Sequence, residues 1–241
     1  MGMPFQRSED DPRRPEPRLR VLDTTFFELE SEFVYVFGRA VIRVPSGHPR
    51  MLRTDLASIP GPLHGLVTPY GRQLLPAILH DDLCRRALAQ DDGNEYRRRA
   101  DDIFRNALID EGVGRFRSRI LWLGAEVGRF WTFTEYARFA LVATQVLGTL
   151  AWFVGVPVAL AAGTWWLAAV FAVAPFVLSL AWRRDLPVAL LGSLVLVVVA
   201  PVYAVTVVAS AVLWIPDALR WLRGGREGRR PPFGAPTTGL R

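Results

Sequence analysis

Lysine is absent from this chain of 241 residues: all 29 of its basic residues are arginine. In a sequence rich in Ala, Val, Leu, Gly and Pro, that pattern reads as the codon usage of a GC-rich genome, and it carries no mechanism. A single cysteine, Cys84, excludes an intrachain disulfide framework and a cysteine-rich zinc site. Three histidines, His48, His64 and His80, confine imidazole chemistry to three places. Charge is missing altogether from Phe139 to Trp182, 44 residues, and again from Leu186 to Pro216, 31 residues. The first 20 residues hold no apolar segment of signal-peptide type, so no cleaved leader is read there and the N-terminal domain is expected in the cytoplasm. With 51% hydrophobic residues and 8 Trp, a disordered chain is excluded as well.

What charge there is has an uneven distribution. The formal net charge is +6, but residues 1–138 hold 21 Arg against 20 acids, whereas residues 139–241 hold 8 Arg against 3. The excess therefore sits in the apolar half. A nucleic-acid-binding protein gathers its basic patch on a folded polar domain, so no nucleic-acid partner is expected.

Four stretches follow in order. Residues 1–20 mix Pro, Arg and acids without periodicity and read as a flexible tail. Residues 21–136 begin with short runs rich in Phe, Val, Ile and Tyr, a small antiparallel β meander, then a Pro/Gly loop, then helix-period segments at 72–89, 94–111 and 114–136. Asn94 is the expected N-cap of the second helix and Gly112 its stop. Residues 139–216 read as a transmembrane region, since a spanning helix needs about 20 apolar residues. The first run is long enough for two spans with a turn near Ala161–Gly163. The second is broken in expectation at Pro201 and reads as a re-entrant hairpin or two short spans. Residues 217–241 form a basic, Arg-rich tail. The positive-inside rule applied to Arg129 and Arg138, to Arg183 and Arg184, and to the tail favours an even number of crossings. The fold class is thus α+β: a small antiparallel meander and a three-helix part, followed by a multi-span helical membrane region whose partner is the lipid bilayer.

Among residues that could carry chemistry, His48 and His64 lie in loops and read as solvated. His80 lies inside a helix, in ILHDDLCRR, and shares a face with Cys84 four residues on. The next helix aligns Arg97, Asp101, Phe104 and Leu108. The short Gln90–Gly93 connection makes the two helices antiparallel, which can set His80 against Asp101. A carboxylate on one ring nitrogen fixes the tautomer and leaves the other as a general base. Asp81 could hold a hard divalent cation, with Asp55 completing an anionic site. The competing reading is a polar clasp between helices with Asp81 and Asp82 in solvent.

VPSGHPRMLRTDLASIP, PAILHDDLC and RRRADDIFRNALIDEGV, in that order, resemble the bacterial and phage family of unknown function DUF1353, over roughly residues 21–135. The resemblance implies a fold more than an activity. The His-Asp…Asp helix pair is also similar to that of phospholipase A2 enzymes. That similarity implies His80 as the base, Asp101 as its orienting group, and Asp81 as a ligand of calcium. PYGRQLLPAILHD offers only Gly71 where those enzymes carry a glycine-rich calcium loop, and Cys84 stands in place of their tyrosine. Two functions are expected from this: a membrane-anchored structural or interaction module, or a membrane-anchored, metal-dependent hydrolase.

Overall fold

The computed structural model describes residues 3–22, 26–45, 53–54 and 71–223. Six short strands come first: β1 (Phe5–Gln6), β2 (Leu19–Val21), β3 (Phe27–Leu29), β4 (Phe33–Phe37), β5 (Ala40–Val44) and β6 (Arg53–Thr54). They form two antiparallel three-stranded sheets, ordered β1-β4-β5 and β2-β3-β6. The β4–β5 hairpin pairs Phe33 with Val44 and Phe37 with Ala40.

The N-terminal stretch is not the free tail expected of it. Phe5 pairs with Tyr35 across β1 and β4, is 1% exposed, and packs its ring on Phe33 and Tyr35. One well-placed aromatic and a few strand pairs suffice to order a segment whose composition alone reads as disordered.

The helices are α1 (Leu74–Ala87), α2 (Gly93–Asp110), α3 (Arg115–Phe133), α4 (Tyr136–Leu150), α5 (Val156–Ala161), α6 (Trp165–Leu180) and α7 (Leu186–Arg223). Pro76 falls in the first turn of α1, where its missing N–H has no partner to lose. Gly112, at φ +76°, ends α2 as expected. Asn94 does not cap that helix: it lies one residue inside, and Asp92 takes the cap position. The main core joins the sheets to α1 and α2 through Leu29, Phe33, Tyr35, Ile78, Leu79 and Ala107. The Tyr35 hydroxyl donates to Asp110 at 2.8 Å, which ties β4 to the end of α2.

A single turn of π-helix (Ala151–Gly155) joins α4 to α5, just ahead of Pro157, whose ring and missing N–H disturb the regular ladder. The chain turns at Gly163, at φ +70°, where the Ala-Ala-Gly sequence placed the turn, and returns as α6, whose 16 residues fall short of the second span expected there; the two arms form a helical hairpin. Its helices meet through small residues. A Cβ on Gly148 would lie 3.0 Å from Pro175, and one on Gly155 would lie 2.7 Å from the Phe171 ring. Thr144, Gln145 and Ser179 make interhelical contacts: Trp182 donates to Thr144 at 3.3 Å, Gln145 donates to the Ala189 carbonyl at 3.0 Å, and the Ser179 and Ser193 hydroxyls lie 3.5 Å apart.

α7 runs unbroken for 38 residues through Pro201, so the re-entrant break expected there does not form. Two helical stretches, Tyr136–Ala161 and Arg183–Ile215, are long and apolar enough to cross a membrane, a test that the core helix of a soluble protein also passes. The chain divides into two compact units, residues 1–196 and 197–241.

Candidate functional site: a polar cluster between α1 and α2

The five-residue link Leu88–Asp92 turns α2 back along α1. A Cβ on Gly93 would lie 2.5 Å from the Ala87 carbonyl oxygen, so the approach at this corner requires glycine. The result is the juxtaposition that the helical spacing predicts. His80 Nε2 lies 2.6 Å from Asp101 Oδ1, with Asp101 fully buried and His80 9% exposed. The same carboxylate oxygen accepts from Arg97 Nε at 2.9 Å. Arg97 reaches on to the Ala125 carbonyl of α3 at 3.3 Å. Phe104 stacks on the imidazole, ring centroids 4.5 Å apart.

Asp101 thus stands between an imidazole and a guanidinium. With the carboxylate anionic, Nε2 carries the hydrogen and donates it, which assigns the tautomer by the network. Cys84 Sγ lies 3.5 Å from the same ring nitrogen. Burial pushes the Cys84 thiol well above the ordinary cysteine range against the opposing pull of Arg97, so its sulfur is protonated at neutral pH.

Asp81, the next residue, is bonded to the sheet: its carboxylate accepts from the Thr54 hydroxyl of β6. Asp55 lies outside the described residues, as do His48 and His64. Asp82 is not in solvent: it is fully buried, held by Arg85 at i+3 and by Arg86 Nε at 2.9 Å at i+4. Arg86 also donates to the Arg43 carbonyl at 2.5 Å, which secures α1 to β5. The His-Asp-Asp run therefore divides its labour: the first residue faces α2, the second β6, the third its own helix and β5. Two cavities stand out among the described residues, a groove of about 520 Å³ lined by Ala and Val of α6 and one of about 320 Å³ beside Arg72 and Arg117. Neither includes His80, Asp101 or Cys84.

A second polar centre is not evident from the sequence as such. Arg129 of α3 is 1% exposed. It donates to Glu126 at 2.9 Å, to the Asn94 side chain at 2.8 Å and to Asp185 at 2.8 Å. Arg98 of α2 meets the same Asp185 oxygen at 2.8 Å, and Arg184 meets Glu95 at 2.9 Å. The charged link between α6 and α7 is thereby bound to the N-terminal end of α2 and to α3. Arg129, expected to orient the chain by the positive-inside rule, is instead consumed in this network. The i, i+3 spacing of Glu126 and Arg129 on α3 is the one signal for it in the sequence. Burial holds the Glu126 carboxyl above the usual glutamate range, with Arg129 opposing. Around this centre Trp122, Phe130, Leu141, Val188 and Ala189 form an apolar core shared by α3, α4 and the start of α7.

Residues 27–125, which carry the first of these two centres, match the model of a family described as Protein of unknown function (DUF1353). The likeness to DUF1353 is confined to this stretch, less than half of the chain. The match takes in His80, Asp81, Cys84, Arg97 and Asp101, and it stops one residue short of Glu126, so Arg129 and Asp185 lie outside it. No curated protein and no solved structure matches the chain. The likeness of the helix pair to phospholipase A2 enzymes is not borne out by these comparisons.

Proposed function

We propose that this chain is an integral membrane protein in which the helical hairpin α4–α6 anchors the DUF1353-like domain at the cytoplasmic face of the bilayer, where the domain works as a structural or interaction module. The observation that carries the reading is the inside-out apolar distribution of the hairpin. Val146, Leu147, Val154, Val158, Val173 and Val177 are all exposed, as suits a lipid solvent and not water. Exposed aromatics stand at the two ends of this band: Trp131, Tyr136 and Phe139 near the domain, Trp165 and Trp166 at the turn. The 26 residues of Tyr136–Ala161 rise about 39 Å at 1.5 Å per residue, close to the roughly 40–45 Å between the interfacial layers where Trp and Tyr concentrate. Arg183–Ile215 is also long and apolar enough for a crossing, which would make the number odd, against the even number that the positive-inside rule favours.

The ion network adds that the domain is docked and not merely tethered. Asp185, at the far end of the hairpin, returns to Arg98 and Arg129 of the domain. Both ends of the hairpin therefore lie on the domain's side, as two crossings require.

Single cysteines in a Cys84→Ser background test the arrangement, with a membrane-impermeant maleimide applied to intact cells. Ala162→Cys at the turn is labelled without permeabilisation, and Arg39→Cys in the β4–β5 turn only after it. Labelling of both positions, or of neither, in intact cells contradicts the proposal.

One observation favours the hydrolytic alternative, the 2.6 Å contact that orients His80. Against it, Arg97 shares the orienting oxygen of Asp101, which weakens that carboxylate as a support for an imidazolium. Turnover of phospholipid vesicles by the purified chain, lost in His80→Ala and reduced about 10²-fold or more in Asp101→Asn, would establish this reading. Equal turnover in all three proteins removes it.

A further inference from the structure

We infer that His80, Cys84 and Asp101 form a binding site for a thiophilic divalent cation of the zinc class. His80 and Cys84 stand four residues apart on one face of α1, and Asp101 meets them from α2. One ligand atom of each lies within 4.8 Å of the others. The 3.5 Å between Cys84 Sγ and His80 Nε2 matches the edge of a tetrahedron whose metal–sulfur and metal–nitrogen bonds are about 2.3 and 2.0–2.1 Å, an edge of about 3.6 Å.

The second observation concerns Asp101. Its Oδ1 is taken by His80 and Arg97, while its Oδ2 is buried and has no hydrogen-bond partner among the described residues. A buried carboxylate oxygen without a partner is costly, and a cation is what would satisfy it. Oδ2 can take the metal while Oδ1 keeps Arg97. The 2.6 Å His80–Asp101 contact is a hydrogen bond and is shorter than a ligand–ligand edge, so binding opens it.

Charge closes in the same direction. A Cys84 thiolate, Asp101 and Asp81 are three anions, and Arg97 is one cation. Asp81 is close enough for its field to act on both Cys84 and Arg97. The four groups together carry −2, which a divalent cation neutralises beside the fully buried Asp101. Cys84, protonated without the metal, gives its proton to solvent on binding. The imidazole stays neutral, its hydrogen moving from Nε2 to Nδ1 as the lone pair of Nε2 turns to the metal. The sulfur decides the class of ion, since calcium and magnesium take oxygen ligands and a mixed S, N, O set suits zinc. This departs from the calcium site expected on Asp81 and Asp55, and it does not depend on the membrane reading.

The test is a titration of the full-length chain in detergent with Co²⁺ as a spectroscopic stand-in, followed by displacement with Zn²⁺. The expected result is one equivalent bound, a thiolate-to-cobalt charge-transfer band in the near ultraviolet, displacement by Zn²⁺ and none by excess Ca²⁺. Cys84→Ser, the smallest change available, abolishes the band and weakens Zn²⁺ binding about tenfold or more, with Asp101→Asn expected to act likewise. A wild-type chain that takes up no Co²⁺, or takes it up without the charge-transfer band, overturns the inference. So does a Cys84→Ser chain with wild-type Zn²⁺ affinity. Should either variant fail to fold, the wild-type spectrum decides alone.

Discussion

Arg129 shows how much a single side chain can organise. Its guanidinium serves an acid of its own helix, an amide of α2 and an acid of the α6–α7 link, and its plane lies 4.5 Å over the Phe130 ring. Removing one member of a buried ion pair strands the other, at a cost of about 3–5 kcal/mol. Arg129→Ala is therefore expected to lose that much stability in urea unfolding of the detergent-solubilised chain; a loss under about 1 kcal/mol would deny the network its structural role. Glu126 gives the same centre a pH signature. Its carboxyl is held above the unfolded value chiefly by burial, so the folded state binds the proton more tightly than the unfolded one. The corresponding stability is present at low pH and is lost as pH rises from the ordinary glutamate range through the raised folded value. Glu126→Gln should flatten that decline in a series of melting temperatures from acid to neutral pH. Cys84 offers a third reading at this scale: with its thiol pushed up by burial, its alkylation at neutral pH should run well below the rate of an unperturbed thiol and rise only when the chain is unfolded.

At the scale of elements, the hairpin depends on close approach at glycine. Gly155 faces the Phe171 ring, and a Cβ there would sit 2.7 Å from it. Gly155→Val is expected to cost about 1–3 kcal/mol by overpacking, seen as a lower melting temperature in detergent, whereas Gly124→Val, where a Cβ meets nothing within 4 Å, should cost less. Elements are also where the sequence is most legible. α2 carries a clear apolar stripe, α1 is buried over most of its length, and the link between them is short, so the meeting of His80 with Asp101 can be read from spacing. The same spacing places Cys84 on the face of His80. The turn at Gly163 and the stop at Gly112 are legible because both positions need a positive φ. The contacts that escape a sequence reading depend on distant segments. Phe5 belongs to the core only because β4 lies beside it, and Arg86, which holds Asp82, is itself fixed by the Arg43 carbonyl of the distant β5. Asp185 looks like a surface charge between apolar runs because nothing in its neighbourhood names Arg98 or Arg129 as its partners. Pro201 misleads for the opposite reason: a local rule against proline in a helix is overridden within an otherwise uninterrupted apolar helix.

For the whole molecule, the division of charge takes on a structural meaning. Five arginines of the near-neutral N-terminal part, Arg85, Arg86, Arg97, Arg98 and Arg129, are spent on Asp82, Asp101, Glu126 and Asp185, and the apolar half turns many of its Val, Leu and Trp side chains outward. The family match ends at residue 125, just before Glu126 and Arg129, so the ion network that joins α2 and α3 to the α6–α7 link lies largely outside it, while His80, Cys84 and Asp101 lie within it. The proposed anchor depends on the hairpin lying in lipid. Flotation of membranes from expressing cells after an alkaline carbonate wash probes that dependence at once. An integral hairpin carries the full-length chain up with the lipid and releases it only to detergent. Recovery in the soluble fraction, or at the bottom of the gradient away from lipid, would contradict the membrane anchor.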